Sequence, residues 1–265
     1  MTLPKPLLAF DSAADPLAVR HNEIDVLLRR DTSDPSHHSS PNTAEAHRIE
    51  YTYHSNAIEG STLTLRETQL IIEGMSLPGG KSMREVYEAR NHDRAVRRIE
   101  SWLESEQGPA HPLDERALLE LHGLVLADIM PSEAGAYRSG RVRIAGSRHI
   151  PPGPHRFEEL MPAALGRLNN DALHPVLRAA ELHYNLVAVH PFSDGNGRTA
   201  RLMMNAWLLQ NGYPLCIIEV ERRAEYLSAL DAANTGNPLP FAGFIAGCVE
   251  RSLLDVLGDE GPDES

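Results

Sequence analysis

The sequence predicts an all-helical fold interrupted by one small β-hairpin. Three observations carry that expectation. Aromatic residues make up only 5% of the 265, while Leu and Ala are plentiful. Apolar residues recur at helical spacing through most of the chain. A single stretch, residues 135–152, alternates apolar and charged residues at a period of two between Gly and Pro boundaries.

Taken in order, residues 16–30 place Leu17, Val19, Ile24, Leu27 and Leu28 along an amphipathic first helix. Residues 31–41, rich in Ser, Pro, His and Asp, read as a loop, with His37 and His38 solvated rather than metal-bound. Asn42, with Glu45 three positions on, reads as an N-cap and its capping-box partner, so a helix starts at about residue 43 and runs to the region of Ser55. A short helix is expected over 65–74, closed by Pro78, Gly79 and Gly80. Residues 82–106 carry Val86, Ala89, Ala95, Ile99 and Leu103 on one side of a long charged helix. Residues 114–130 repeat Leu118, Leu121 and Val125. In the hairpin, Val142 and Ile144 are set against Arg141, Arg143 and Arg148. After a helix over 157–169, residues 175–189 are apolar almost all round, which marks a buried helix ended by His190 and Pro191. Helices over 198–210 (capped by Asn211 and Gly212), 222–234 and 240–257 complete the core, and the acidic residues 259–265 read as a disordered tail.

A chain of this length supports one substantial core with a small lobe packed on it. Its composition, 42% hydrophobic and 23% charged, is that of an ordinary globular protein. The net charge of -12 argues against nucleic acid or an anionic membrane as partner, since both are polyanions. An anionic nucleotide would need a local cluster of positive groups. Cys216 and Cys248 lie far apart in apolar surroundings and read as reduced core cysteines. No window is long enough to span a bilayer, so the expected location is cytoplasmic.

The chemistry concentrates in His190-Pro191-Phe192-Ser193-Asp194-Gly195-Asn196-Gly197-Arg198-Thr199-Ala200-Arg201. A buried helix, a Gly-rich turn and a new helix present unpaired N–H groups and the positive end of a helix dipole, which together bind phosphate. Gly195 and Gly197 permit close approach of an anion. Arg198 and Arg201, three apart, share a face and can hold successive phosphates. Asp194, the one acid in the turn, suits a divalent cation bridging phosphates. His190 at the mouth of the cradle suits proton abstraction from an incoming hydroxyl. Taken singly these features have bland readings, and His190 with Asp194 also fits a metal pair in a phosphohydrolase. The turn is not a Walker A loop, because no Lys-Ser/Thr follows the glycines.

The segment resembles the signature of the Fic family, His-x-Phe-x-Asp/Glu-Gly-Asn-Gly-Arg-x-x-Arg, at every defined position. The resemblance extends from about residue 43 to 254, including Gly135-Ala136-Tyr137-Arg138 and Asp231-Ala232-Ala233-Asn234. It implies the Fic fold, a helical bundle with a β-hairpin flap, and transfer of AMP from ATP to a Ser, Thr or Tyr hydroxyl of a target protein. By that similarity His190 is the base and Asp194 the Mg2+ ligand. Gly195, Asn196 and Gly197 form the anion hole, Thr199 belongs to the ATP site, and Arg198 and Arg201 take the β- and γ-phosphates. The flap, residues 140–152, would dock the target by strand addition, with Ile144 and His149 on its nucleotide side. Asn234 would contact adenine or ribose. Of the aromatic pair the family often has before that Asn, Tyr226 remains and Leu227 follows.

Residues 51–60 read on their own as a helix end with Gly60 just past it, which puts Glu59 at the negative end of a helix dipole and calls for a compensating cation. Ser55, Glu59 and Gly60 match the family's inhibitory motif, whose Glu pairs with the second motif arginine, here Arg201. The resemblance thus divides the chain into an N-terminal helical region, 1–110, with an inhibitory helix at about 43–60, and a catalytic core, 111–258. Met83 matches an apolar position used for homodimers in relatives. The alternatives left open are a de-AMPylase or metal-dependent phosphodiesterase on the same site, and an antitoxin-like nucleotide-binding module.

Overall fold

The computed structural model describes residues 5–10, 15–33, 41–75, 80–103, 112–169 and 173–258. His37, His38, Pro78, Gly79 and the acidic tail lie outside these. Among the described residues are ten α-helices: α1 (Ala18–Ser33), α2 (Pro41–Ile58), α3 (Leu65–Ile72), α4 (Met83–Leu103), α5 (Glu115–Leu126), α6 (Phe157–Leu165), α7 (Pro175–Val189), α8 (Asn196–Gln210), α9 (Arg223–Asn234) and α10 (Leu239–Leu257). None is long and apolar enough to cross a membrane.

The centre of the molecule is the pair α7 and α8, and its sequence says why. Val176, Leu177, Ala180, Tyr184 and Ala188 face one apolar cluster shared with α1, α9 and α10. Leu182, Leu186 and Val189 face another, shared with α4, α5 and α6. In α8, Met204 and Leu208 join the first cluster while Leu202, Met203 and Ala206 join the second. Both helices are walled on two sides, so the apolar character of α7 all round is a packing requirement. Truncating such a residue, for example Leu182→Ala, costs about 2–5 kcal/mol. Pro175 opens α7 where its missing N–H costs nothing, and the His174 ring accepts from the Val176 N–H at 3.2 Å.

Two local expectations need correction. Asn42 is not an N-cap: α2 starts at Pro41, whose fixed φ suits the first helical position. The capping box sits instead at α3, where the Thr64 side chain accepts from the Glu67 N–H and the Glu67 carboxylate accepts from the Thr64 N–H. The expected hairpin is also not a paired ladder, and no strand occurs among the described residues. Residues 141–144 and 147–150 alternate in exposure residue by residue, as strands with one covered face do, on both arms of a turn at Ala145 and Gly146. The Ser147 N–H reaches the Ile144 carbonyl at 3.2 Å, and Gly146 supplies the positive φ of 76° that the turn requires. The reason lies at the base of the arms. The Arg138 guanidinium donates to Gly140 O at 2.5 Å and Pro152 O at 2.7 Å, so a side chain stands where the first ladder pair would form.

Candidate active site

The turn between α7 and α8 is built by three specific contacts. His190 ends α7 in the left-handed region (φ 51°, ψ 59°), the sole non-glycine with positive φ among the described residues. Such backbone strain persists only where surroundings hold it. Here Arg138 Nε donates to the His190 carbonyl at 2.8 Å, and the Arg138 N–H donates to Pro191 O at 3.0 Å. Asn196 then closes the turn: its Oδ1 accepts from Phe192 N and its Nδ2 donates to Phe192 O, both at 2.9 Å. Asn196 therefore shapes the anion loop through backbone pairing, with its amide committed to protein. Phe192 is buried and stacks on the His122 ring, centroids 3.6 Å apart.

Gly195 takes φ 73° as the N-cap, so α8 begins at Asn196 and Gly197 lies in its first turn. Above that turn sits Glu59. A Cβ placed on Gly197 would come within 2.3 Å of Glu59 Oε1 and 3.1 Å of Arg201 Nη1. Arg201 Nη2 donates to Glu59 Oε1 at 2.8 Å. The same guanidinium is held by Ser55, Nε to Oγ at 3.0 Å and Nη2 to the carbonyl at 2.8 Å. Arg201 is 1% exposed, and its remaining Nη1 has no protein partner, nor have Arg198 Nε and Thr199 Oγ1. Orphaned buried donors around a helix N-terminus are what an anion site offers. Gly60, with φ 103°, ends the turn after α2. Arg223 Nε caps that helix from α9, donating to Ile58 O at 2.7 Å.

Asp194 is already engaged. Its Oδ2 pairs with Arg84 at 2.5 Å, its Oδ1 accepts from the Gly195 N–H at 2.6 Å, and Arg198 lies 3.6 Å from Oδ1. Glu88, one turn along α4 from Arg84, holds Arg84 at 3.1 Å and Arg198 at 3.3 Å. Arg84, Glu88, His122 and Arg223 are site residues that the sequence reading missed. The i, i+4 spacing of Arg84 and Glu88 was a signal, but it looks like any solvated helix pair. His122 supports the turn from α5, donating Nε2 to Asp194 O at 3.1 Å while Nδ1 accepts from Gly135 N at 3.0 Å.

Beside His190 opens a cavity of about 310 Å³, lined among others by Glu59, Ile144, His149, Gly197, Leu227 and Asn234. The structure thus brings Ile144 and His149 of the flap to the same space as His190. His149 Nε2 is tied to Ala188 O at 2.7 Å. Tyr226 forms part of the wall, largely buried, with its hydroxyl 3.2 Å from His183 Nε2. Asn234 Oδ1 accepts from Tyr184 at 3.2 Å, which leaves its amide N–H groups for a ligand. Thr199, Arg198 and Arg201 lie behind Gly197 rather than on this wall.

Burial lowers the His190 pKa to about 4, opposed by its hydrogen bond to Val187 O and assisted by the nearby Arg138 charge. At neutral pH the ring is therefore uncharged. Burial pushes the Glu59 carboxyl upward, but Arg201 beside it and Arg198 behind outweigh that, and the net shift is downward. For Asp194, burial is likewise outweighed by Arg198, the Gly195 N–H and Arg84.

Comparison with known proteins agrees with this geometry. Residues 112–208 match the model of the Fic/DOC family. The chain is 43% identical over 208 residues to "Protein adenylyltransferase Fic" of Culex quinquefasciatus, covering 77% of this chain and 41% of that protein. It is 42% identical over 208 residues to the protein of the same name from Nematostella vectensis, covering 77% and 48%. It thus spans less than half the length of these curated relatives. Among solved structures, Fic-1 (residues 134–508) from C. elegans superposes with a TM-score of 0.79 at 34% identity, covering 91% of this chain and 72% of that one. A Fic family protein from Desulfovibrio desulfuricans G20 gives a TM-score of 0.80 at 27% identity, covering 96% and 76%. The motif turn, the helical frame that carries it and the shared sequence over most of the chain agree, and the chain belongs to the Fic/DOC family.

Proposed function

We propose that this chain is a protein adenylyltransferase, moving AMP from ATP to a Ser, Thr or Tyr hydroxyl of a target protein, and that Glu59 holds it shut at rest. One observation carries the reading: a carboxylate is seated over the first turn of α8 against Arg201, so an anion already fills the anion site. The names of the relatives support the activity.

His190 Nδ1 lies 3.3 Å from Val187 O and so carries its proton toward that carbonyl, leaving Nε2 as the base. The acceptor oxygen attacks the α-phosphorus and its proton passes to Nε2. The bond from phosphorus to the bridging oxygen breaks, and pyrophosphate leaves. With Glu59 withdrawn, Arg201 and Arg198 hold the γ- and β-phosphates, and Gly195 and Gly197 let backbone N–H groups approach them. Adenosine would take the cavity, whose lining of Asn234, Tyr226, Ile144 and His149 supports that reading.

Asp194 fits a Mg2+ ion that rides on the nucleotide. Among the described residues no cluster of three or more His, Cys, Asp or Glu could hold a metal by itself, so one carboxylate would supplement phosphate and water oxygens. Bound there, the ion would neutralise phosphate charge in transfer. Glu59 and His190 line one cavity, which supports a second reading in which Glu59 orients water against an AMP-modified target. Met83, 59% exposed at the start of α4, would be the residue through which a homodimer forms. The proposed location is the cytoplasm.

The test is intact-mass spectrometry after incubation with ATP and Mg2+. Glu59→Gly should gain the mass of AMP, and Glu59→Gly/His190→Ala should not. Absence of any AMP adduct on itself or on lysate proteins would remove the adenylyltransferase reading.

A further inference from the structure

The flap carries a charge pattern that the transfer chemistry does not use. On residues 141–150, Arg141, Arg143, Arg148 and Ile150 are exposed, while Val142, Ile144, Ser147 and His149 are half-buried. Ile144 and His149 reach the cavity that contains His190, so the inner side of the arms faces the chemistry. On the outer side, none of the three arginines forms an ion pair with an acidic side chain of the described residues. Nor does any hydrogen bond hold the backbone of Arg141, Val142 or Arg143. An open backbone edge bearing two uncompensated cations, with a third on the adjoining arm, stands out on a chain of net charge -12.

We propose that this edge selects acceptor segments bearing Asp or Glu at odd offsets from the modified residue. The inference rests on the adenylyltransferase reading and names its substrate class. A segment pairing with residues 141–144 as an added strand alternates its side chains in step with the flap. Residues opposite Val142 and Ile144 point inward, and the acceptor hydroxyl must be one of these to meet His190. Residues opposite Arg141 and Arg143 point outward, at offsets of one or three from the acceptor. Directly opposed side chains lie about 4.5–5.5 Å apart at Cβ, close enough for carboxylates to meet guanidinium groups. Arg148, on the other arm, adds to the same field. Acids at even offsets would instead face the apolar inner side. RNA is disfavoured by the charge of the rest of the molecule.

The experiment uses Glu59→Gly protein and three peptides with one Thr acceptor: Glu at the odd offsets, Glu at the even offsets, and Lys at the odd offsets. The odd-offset acidic peptide should be labelled with a kcat/KM about tenfold above the even-offset one, the gap narrowing with salt. Adding Arg141→Glu, Arg143→Glu and Arg148→Glu should turn the preference to the Lys peptide while binding of an ATP analogue stays unchanged. A misfolded variant cannot produce that gain. Equal use of odd and even acidic peptides, or an acidic preference that survives charge reversal, overturns the proposal. Peptide affinity is also read without ATP by fluorescence anisotropy. Odd-over-even selectivity there with no labelling of any peptide would uphold the docking rule and sink the transfer reading. Tight capture of single-stranded RNA without peptide discrimination would assign the edge to nucleic acid and overturn the proposal.

Discussion

Arg201 and Glu59 meet at 2.8 Å over the first turn of α8, although 142 positions separate them in sequence. The contact ties the last charge of the motif 190–201 to the residue that follows α2. A buried guanidinium needs several partners, and α2 with the turn after it supplies three: the Ser55 hydroxyl and the Ser55 carbonyl from the helix, and the Glu59 carboxylate from the turn.

Ser55→Ala is therefore expected to leave Arg201 Nε unpaired in a buried position, at a cost of about 1–3 kcal/mol. Thermal unfolding should report a lower Tm than wild type, and self-labelling should rise because Glu59 loses a neighbour that fixes its target. An unchanged Tm with unchanged labelling would mean that Ser55 does not hold Arg201.

Gly197→Ala tests how closely the carboxylate sits on the helix. The new methyl would lie 2.3 Å from Glu59 Oε1, so the side chain must move. The substitution should lower stability in the wild type and lower it less in Glu59→Gly, where the clashing group is gone. A double-mutant cycle should give a coupling of about 0.5–3 kcal/mol. In both backgrounds the methyl should weaken ATP binding, as measured by calorimetry, because it stands where phosphate approaches. Additive stability effects would contradict this geometry.

Asp194 offers a third check. Arg84 occupies its Oδ2 at 2.5 Å, so a cation arriving with nucleotide must compete with a guanidinium. Arg84→Ala in the Glu59→Gly background should lower the Mg2+ concentration needed for half-maximal binding of an ATP analogue, by about three- to tenfold for a partly exposed pair. An unchanged or raised Mg2+ requirement would show that Arg84 does not compete.

The parts of this site that were legible in the sequence are the contiguous ones. Residues 190–201 carry the phosphate turn in one stretch, and the apolar run 175–189 coincides with α7. Ser55, Glu59 and Gly60 were legible through the resemblance, and Arg201 was named with them; the structure adds the second hold on Arg201, by Ser55. Arg84 and Glu88 were not legible, because single charges on the face of α4 acquire meaning only when α4 packs beside α8. That the Asn196 side chain turns back to pair with the Phe192 backbone is not legible, since one residue of a Gly-rich loop does not reveal where its side chain turns; the pairing leaves the Asn196 backbone N–H free of that role. The alternation of residues 141–150 was readable, yet the missing ladder was not, because Arg138 wedges the arms from outside the segment.

The pH profile follows from burial of His190. With its pKa lowered to about 4, the base stays neutral through pH 8 to 5. The kcat/KM for labelling by Glu59→Gly should be flat there, with its acid limb at still lower pH than in wild type, because the lost Glu59 charge is one that raises the His190 pKa. Folding stability responds earlier. An unfolded His takes up a proton near pH 6.5, while native His190 and His122 do so only near 4 and His183 near 3. Their contribution is full above about 6.5 and is lost as pH falls toward 4, because the unfolded state binds more protons. Urea midpoints at pH 7.5, 6 and 5 should decline in that order, and a constant midpoint would contradict the buried neutral histidines.

The central claim is that the phosphate site is complete and shut by one carboxylate. It is tested most directly by the initial rate of self-labelling with a traceable ATP analogue, wild type against Glu59→Gly at equal concentration. A coupling of 1–3 kcal/mol predicts a rate about 5- to 150-fold higher in Glu59→Gly, abolished by His190→Ala. Equal rates for wild type and Glu59→Gly would contradict it.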